Sequence, residues 1–179
     1  MSGKLNIITL ALDSSLTACL LGSSATTVVN RISWSNQFFD ANAEGDSQAN
    51  TRWYMPRVLP AEPRQLTVGG DEGGYNEHLG IYQVSCFFPK GANPSTAREE
   101  ADFIASHFKR GGSVRTVGTG AYIITQSGNY LVTQTGDPLA ITEAIRVRFL
   151  RSWVNGPIEE DRWFHLPVTV RWFADIVNT

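Results

Sequence analysis

The feature that most constrains this chain is an alternating run, Leu79 to Phe88, that leads directly into a capped helical pattern. Tyr82, Val84, Cys86 and Phe88 fall on one side of an extended backbone, with Gln83 and Ser85 on the other. Pro89-Lys90-Gly91 breaks the run. Asn93 then offers an N-cap oxygen, and Pro94 takes the first helical position, where its missing N–H goes unneeded. Ala97, Ala101, Ile104, Ala105 and Phe108 make an apolar stripe, so the spacing predicts a helix over 93–110. Glu99, Glu100 and Asp102 lie early and Lys109-Arg110 late, which complements the helix dipole, and Gly111 supplies a stop. A one-faced strand and a one-striped helix bury their apolar sides by packing together.

The flanking segments extend this unit. Leu5, Ile8, Leu12, Leu16 and Cys19 recur at helical spacing. The run Leu5 to Leu21 superficially looks like a signal peptide, but Asp13, Ser14 and Ser15 interrupt it, which favours a packed amphipathic helix. Thr26 to Trp34 reads as extended, and Asp40 to Thr51, with no apolar anchor, as a loop. Arg52 to Leu59 reads as an edge strand, because Pro56, Pro60 and Pro63 cannot donate to a ladder. Gly69 to Gly74 makes a flexible tip after Leu66-Thr67-Val68, suggesting a projecting hairpin.

Tyr122 to Gln126 and Tyr130 to Gln134 flank a Ser127-Gly128-Asn129 turn. Ile141 to Val154 fits either period, with Ile145 to Phe149 favouring a strand. In the last strand Phe164, Leu166, Val168, Val170 and Trp172 oppose His165, Thr169 and Arg171, and Pro167 points to an edge position. The expectation is an α+β fold, a mostly antiparallel sheet with two helices on it, in one domain over 1–179.

The chemistry-bearing residues are sparse. Net charge is −2 over 179 residues, so nothing demands nucleic acid or an anionic membrane. Twelve arginines stand against three lysines, which fits interface ion pairing and equally a GC-rich genome. Cys19 and Cys86 sit among apolar neighbours, as small hydrophobes in a reducing compartment do. His78, His107 and His165 lack metal-ligand spacing. Gly118-Thr119-Gly120 lacks the third glycine of a dinucleotide loop, and Asp71 with Glu72 falls short of a calcium shell. Glu99 and Asp102 share a helix face, with no pocket or partner implied. These readings assign no catalytic residue, no cofactor and no metal, and leave assembly or binding as the leading class.

At the strand–helix unit the chain resembles a family. Gly80 to Gly91 (Gly-Ile-Tyr-Gln-Val-Ser-Cys-Phe-Phe-Pro-Lys-Gly) followed by Ala97 to Phe108 (Ala-Arg-Glu-Glu-Ala-Asp-Phe-Ile-Ala-Ser-His-Phe) is similar to the tail terminator, or tail completion, proteins of long-tailed phages. The N-terminal helix before Ile32 to Phe39, the strand Trp53 to Pro60 and the closing strand Trp163 to Trp172 follow the same order. The resemblance covers most of Ser2 to Arg110 and the final strand, while 40–51 and 136–161 look longer than a minimal member needs.

It implies a structural virion protein that forms a ring, usually a hexamer, on the finished tail tube. Such a ring would touch the tube protein on one side and a neck or head-completion protein on the other, with genomic DNA passing through unbound and no membrane involved. A head-to-tail ring needs two complementary patches. Arg146 and Arg148 are the expected basic side, and Asp71 and Glu72 candidate acidic contacts. The alternatives are another neck, head–tail joining or tube protein and, from a different class, a small hydrolase or carbohydrate-binding module using the aromatic-rich strands.

Overall fold

A computed structural model describes residues 2–22, 31–35, 37–41, 51–65, 75–115, 121–122, 140–141 and 145–177. Helix α1 (Ser2–Gly22) is followed by β1 (Trp53–Pro60), β2 (Arg64–Gln65) and β3 (Tyr75–Pro89). Helix α2 (Pro94–His107), β4 (Ser113–Arg115), β5 (Ala121–Tyr122) and β6 (Ala140–Ile141) come next. The chain then runs through β7 (Arg146–Val154), β8 (Ile158–Glu159) and β9 (Trp163–Val177). One antiparallel sheet has the order β1-β3-β9-β7-β4, with β2 added to β3 and β8 to β9, while β5 and β6 pair separately. The α+β expectation is met.

The strand–helix unit forms as the sequence implies. Tyr82, Val84, Cys86 and Phe88 are buried in the same core as Ala97, Ala101, Ile104 and Ala105 of α2, a helix that lies chiefly over β9 and β7 rather than over β3. Asn93 caps the helix, its side chain accepting from the Ser95 N–H at 2.9 Å. The helix ends at His107, capped by Phe108, so Lys109 and Arg110 lie beyond it. Gly111 (φ +83°) serves the turn into β4 instead, where its N–H donates to the Phe149 carbonyl. No acidic residue occupies the first turn of α2, which removes the dipole account of Glu99 and Glu100, since that effect fades beyond one turn.

β3 is longer than its alternating core because β2 and β9 extend its ladder to Tyr75. Gly80 lies in register with Trp172, and any Cβ there would meet the indole at 2.5 Å. Only glycine lets that ring lie against the β3 backbone.

The prolines sort by which way their missing N–H points. In β1 the Tyr54 N–H and carbonyl face away from β3, bonding Arg31 and Ser33. Pro56 and Pro60 share that parity, so the absent donors fall on the outer edge, as expected for an edge strand. Pro167 corrects the edge expectation, because β9 is central, between β3 and β7. Its carbonyl points away from β3 and accepts from the Asn155 backbone N–H at 2.8 Å and side-chain amide at 3.1 Å. The missing N–H therefore faces the gap where β7 has ended and β8 has not begun.

Helix α1 packs Ile8, Leu12, Leu16 and Cys19 into the core, the stripe read from the sequence, while Leu10 and Leu21 remain exposed on it. By length and composition Leu5–Gly22 could cross a membrane; here its apolar stripe lies in the same core cluster as the sheet residues. Of the ambiguous run 141–154, Arg146–Val154 is strand β7 and Ile141 belongs to β6, while 142–144 lie outside the described residues. Tyr122 pairs with Ala140, outside the turn proposed at 127–129; that turn, the loop interior 42–50 and the tip 69–74 lie outside the described residues.

Candidate functional site

Several polar groups inside the molecule tie its elements together. At the β1 edge the Tyr54 hydroxyl donates to Glu100 Oε1 of α2, and Arg52 Nη1 lies 2.8 Å from Glu100 Oε2. Burial, then the Glu100 charge, pushes the Tyr54 hydroxyl well above its ordinary range, so it stays protonated. A cleft of about 480 Å³ opens beside this pair, lined by Arg31, Arg52, Asn93 and Glu100. Carboxylate and guanidinium there neutralise each other, which suits a tie between sheet and helix better than proton transfer.

Arg31, itself buried, donates from Nη2 to the Ala41 carbonyl at 3.0 Å and the Thr51 carbonyl at 3.3 Å, closing the base of the 40–51 loop. On the other side of the core the Tyr82 hydroxyl donates to Asp13 Oδ1 at 2.9 Å.

The remaining titratable groups follow the same pattern. Cys19 and Cys86 are buried free thiols, and burial raises both, Cys19 to about 11, so neither is a thiolate nucleophile. His107 Nε2 meets Ser15 Oγ at 3.1 Å, and desolvation lowers its pKa. The His165 ring packs on Phe87 at 4.6 Å between centroids. Among the described residues no group of three His, Cys, Asp or Glu could hold a metal.

The sheet face turned away from the helices is different. Arg146 and Arg148 are exposed there, alternating with buried Val147 and Phe149. They are joined by exposed Arg57, Arg115, Arg151 and Arg171, so half of the twelve arginines gather on one face. Arg148 lies over the Phe173 ring at 5.6 Å and Arg151 over Trp153 at 5.5 Å, which holds both guanidinium groups out along the sheet. Two cross-strand pairs set like charges opposite each other, Arg115 with Arg146 and Arg151 with Arg171. Such pairs cost stability in the isolated sheet. The first pair has carboxylates in its own row: Val147 pairs with Ala174, which sets Arg146 beside Asp175, and Asp175 opposes Glu77, with Arg64 beyond.

Arg146 and Arg148 are thus exposed on a face that they share with four other arginines. Arg171 was legible on the polar side of the last strand. Arg151 was not, because strict alternation from Arg148 turns it toward the helices. A register shift between Phe149 and Arg151 rotates it onto the outer face. Asp71 and Glu72 lie outside the described residues. Glu100, Tyr54, Arg52 and Arg31 carried no local signal, since their partners are remote in sequence.

A family model described as "Phage tail terminator protein" matches residues 24–172. One similar solved structure superposes over 95% of this chain and 94% of its own, with a TM-score of 0.57 and 18% sequence identity, a likeness of fold. Comparison with curated proteins returned no match.

Proposed function

Because the chain belongs to the phage tail terminator protein family, and so has a structural role in the phage tail, we propose that it caps the completed tail tube. In this reading copies of the chain close into a ring, a hexamer, at the head-proximal end of the tube. One side of the ring stops tube growth, and the other gives the neck or head-completion protein a surface to dock on. The subunits assemble in the host cytoplasm and remain in the virion, with DNA passing through the lumen without specific binding.

The observation that carries an assembly role is the arginine face. Six exposed arginines share this face, two pairs of them set against each other in register. Acidic groups from a neighbouring protein would relieve that repulsion and form the forked ion pairs that arginine favours. Arg146 and Arg148 are placed at this subunit contact, with Asp71 and Glu72 as acidic counterparts. This reading assigns no residue a catalytic role.

The test is electron microscopy of tails assembled with and without the protein. The expected outcome is tubes of uniform length bearing a ring at the head-proximal end, and overlong tubes when the protein is withheld. Uniform tubes in its absence, or decoration at the opposite end, would refute the terminator role.

A further inference from the structure

We propose that the outward side of α2, centred on Phe103, docks on the open sheet face of a second copy, at a cleft between Leu59, Ile81 and Leu150. This deepens the ring reading above and rests on it.

The cleft is made by apolar side chains from three strands. Leu59 of β1 lies in register with Ile81 of β3, and Ile81 with Arg171 of β9. On β7 both Leu150 and Arg151 stand against Arg171, so the shift that turns Arg151 outward brings Leu150 to the same row. Leu59, Ile81 and Leu150 are exposed, and with Leu79 and Arg171 they line a cleft of about 590 Å³. Its rim is cationic. Arg171 belongs to the lining, and exposed Arg57 lies two residues from Leu59 on the same side of β1. The carboxylates of Glu77 and Asp175, on the same sheet face, lie four residues farther along β3 and β9, roughly 13 Å away.

Helix α2 carries the counterpart on the opposite side of the molecule. Ala97, Ala101, Ile104 and Ala105 turn into the core, which leaves Glu99, Asp102 and Phe103 exposed. The Glu99 carboxylate accepts from the Ser95 hydroxyl at 3.3 Å, a neutral donor that leaves its charge in place. Arg98, one turn before Asp102, lines a different cleft beside Glu159. Spacing matches as well as charge. On α2 Glu99 lies ~6 Å from Phe103, and on the sheet Arg171 lies ~5 Å from Ile81 and Arg57 ~7 Å from Leu59. A Phe103 ring seated on Leu59 and Ile81 brings both carboxylates within reach of these arginines.

Other exposed apolar side chains lack this pairing of ring and available acid. Asp13, the acid nearest Leu10 along α1, is taken up by Tyr82. Asp40 beside Phe38 is already engaged. Beside Ile158, Glu160 meets His165, and Glu159 shares its cleft with Lys90 and Arg98. Phe103 therefore fits best. A contact between the helix side of one copy and the open sheet side of the next is heterologous, and rotation closes it into a ring.

The experiment uses the full chain, with native mass spectrometry and sedimentation across a concentration series, and tail tubes added in a parallel arm. The unmodified chain should form a closed oligomer. Glu99→Arg with Asp102→Arg should shift it at least about tenfold toward monomer, with circular dichroism unchanged because both side chains are exposed. Adding Arg57→Glu and Arg171→Glu should recover most of that loss. Phe103→Cys with Ile81→Cys should give under oxidation a covalent ladder ending at the ring number, and each single variant should give no ladder.

Undiminished assembly after the helix reversal, or an assembled double-cysteine variant that stays uncrosslinked, overturns this contact and leaves the ring reading standing. Where the fourfold variant does not recover, the ladder decides: its presence upholds the contact and its absence overturns it. An unmodified chain that stays monomeric alone and on tubes overturns the ring reading and this contact with it.

Discussion

The same strands present two unlike faces. Toward the helices β3, β9 and β7 set Tyr82, Val84, Val168, Val170, Trp172 and Val147, all buried. Away from the helices they set Ile81, Arg171, Arg148 and Arg151, all exposed. On the first face the side chains are fixed by volume, and the Ser152 hydroxyl is satisfied by donating to the Ala105 carbonyl at 2.6 Å. On the second, charges are placed against one another in register, which isolated stability disfavours. Packing of this one chain accounts for the inner face. The charge pattern of the outer face is what supports the proposal that it meets a neighbouring protein.

Mutations should separate the two faces. The largest effect is expected on the inner one. Trp172→Ala empties the space against Gly80 and should cost about 3–5 kcal/mol, read as a fall in the denaturant midpoint. A loss no larger than that of an exposed substitution would mean the sheet and helices are not packed as described.

On the outer face the sign should reverse. Arg151→Ser relieves the repulsion with Arg171 and should leave the monomer unchanged or more stable by about 0.2–1 kcal/mol, while weakening assembly. A matching loss of monomer stability would place Arg151 with the core. Charge reversal at both Arg146 and Arg148 should disrupt assembly further, and an intact ring would remove them from the contact.

The smallest effect tests the border of the inner face by pH. Burial raises the Asp13 carboxyl above its ordinary value of 3.8, opposed in part by the Tyr82 hydroxyl. The folded chain therefore holds this proton more tightly than the unfolded one. The resulting stabilisation is full below the ordinary value and is lost as pH rises through the folded one. Asp13→Asn should flatten that part of the stability profile between about pH 3 and about pH 7, measured by thermal melting. An unchanged slope would show that Asp13 is solvated.

Much of the inner face was legible because its signals are local. Alternation in Leu79 to Phe88, the Asn93 cap and the α2 stripe each depend on residues within a turn or a few positions along a strand. Where a local rule met a tertiary neighbour, it gave way. Pro167 reads as an edge residue until the gap between β7 and β8 is seen beside it. Glu100 reads as a dipole partner until Tyr54 and Arg52 come into range.

The strand–helix unit, the buried cysteines and the apolar stripe of α1 were determined by the sequence itself, since hydrophobic periodicity chooses the face that leaves water. The tertiary structure alone decided the make-up of the arginine face and the cleft on it at Leu59, Ile81 and Leu150. One follows from a register shift that turns Arg151 outward beside Arg171. The other follows from strand pairing that sets Leu59 against Ile81 and brings Leu150 near them. Both depend on contacts between residues distant in the chain, and such contacts leave no period in the sequence.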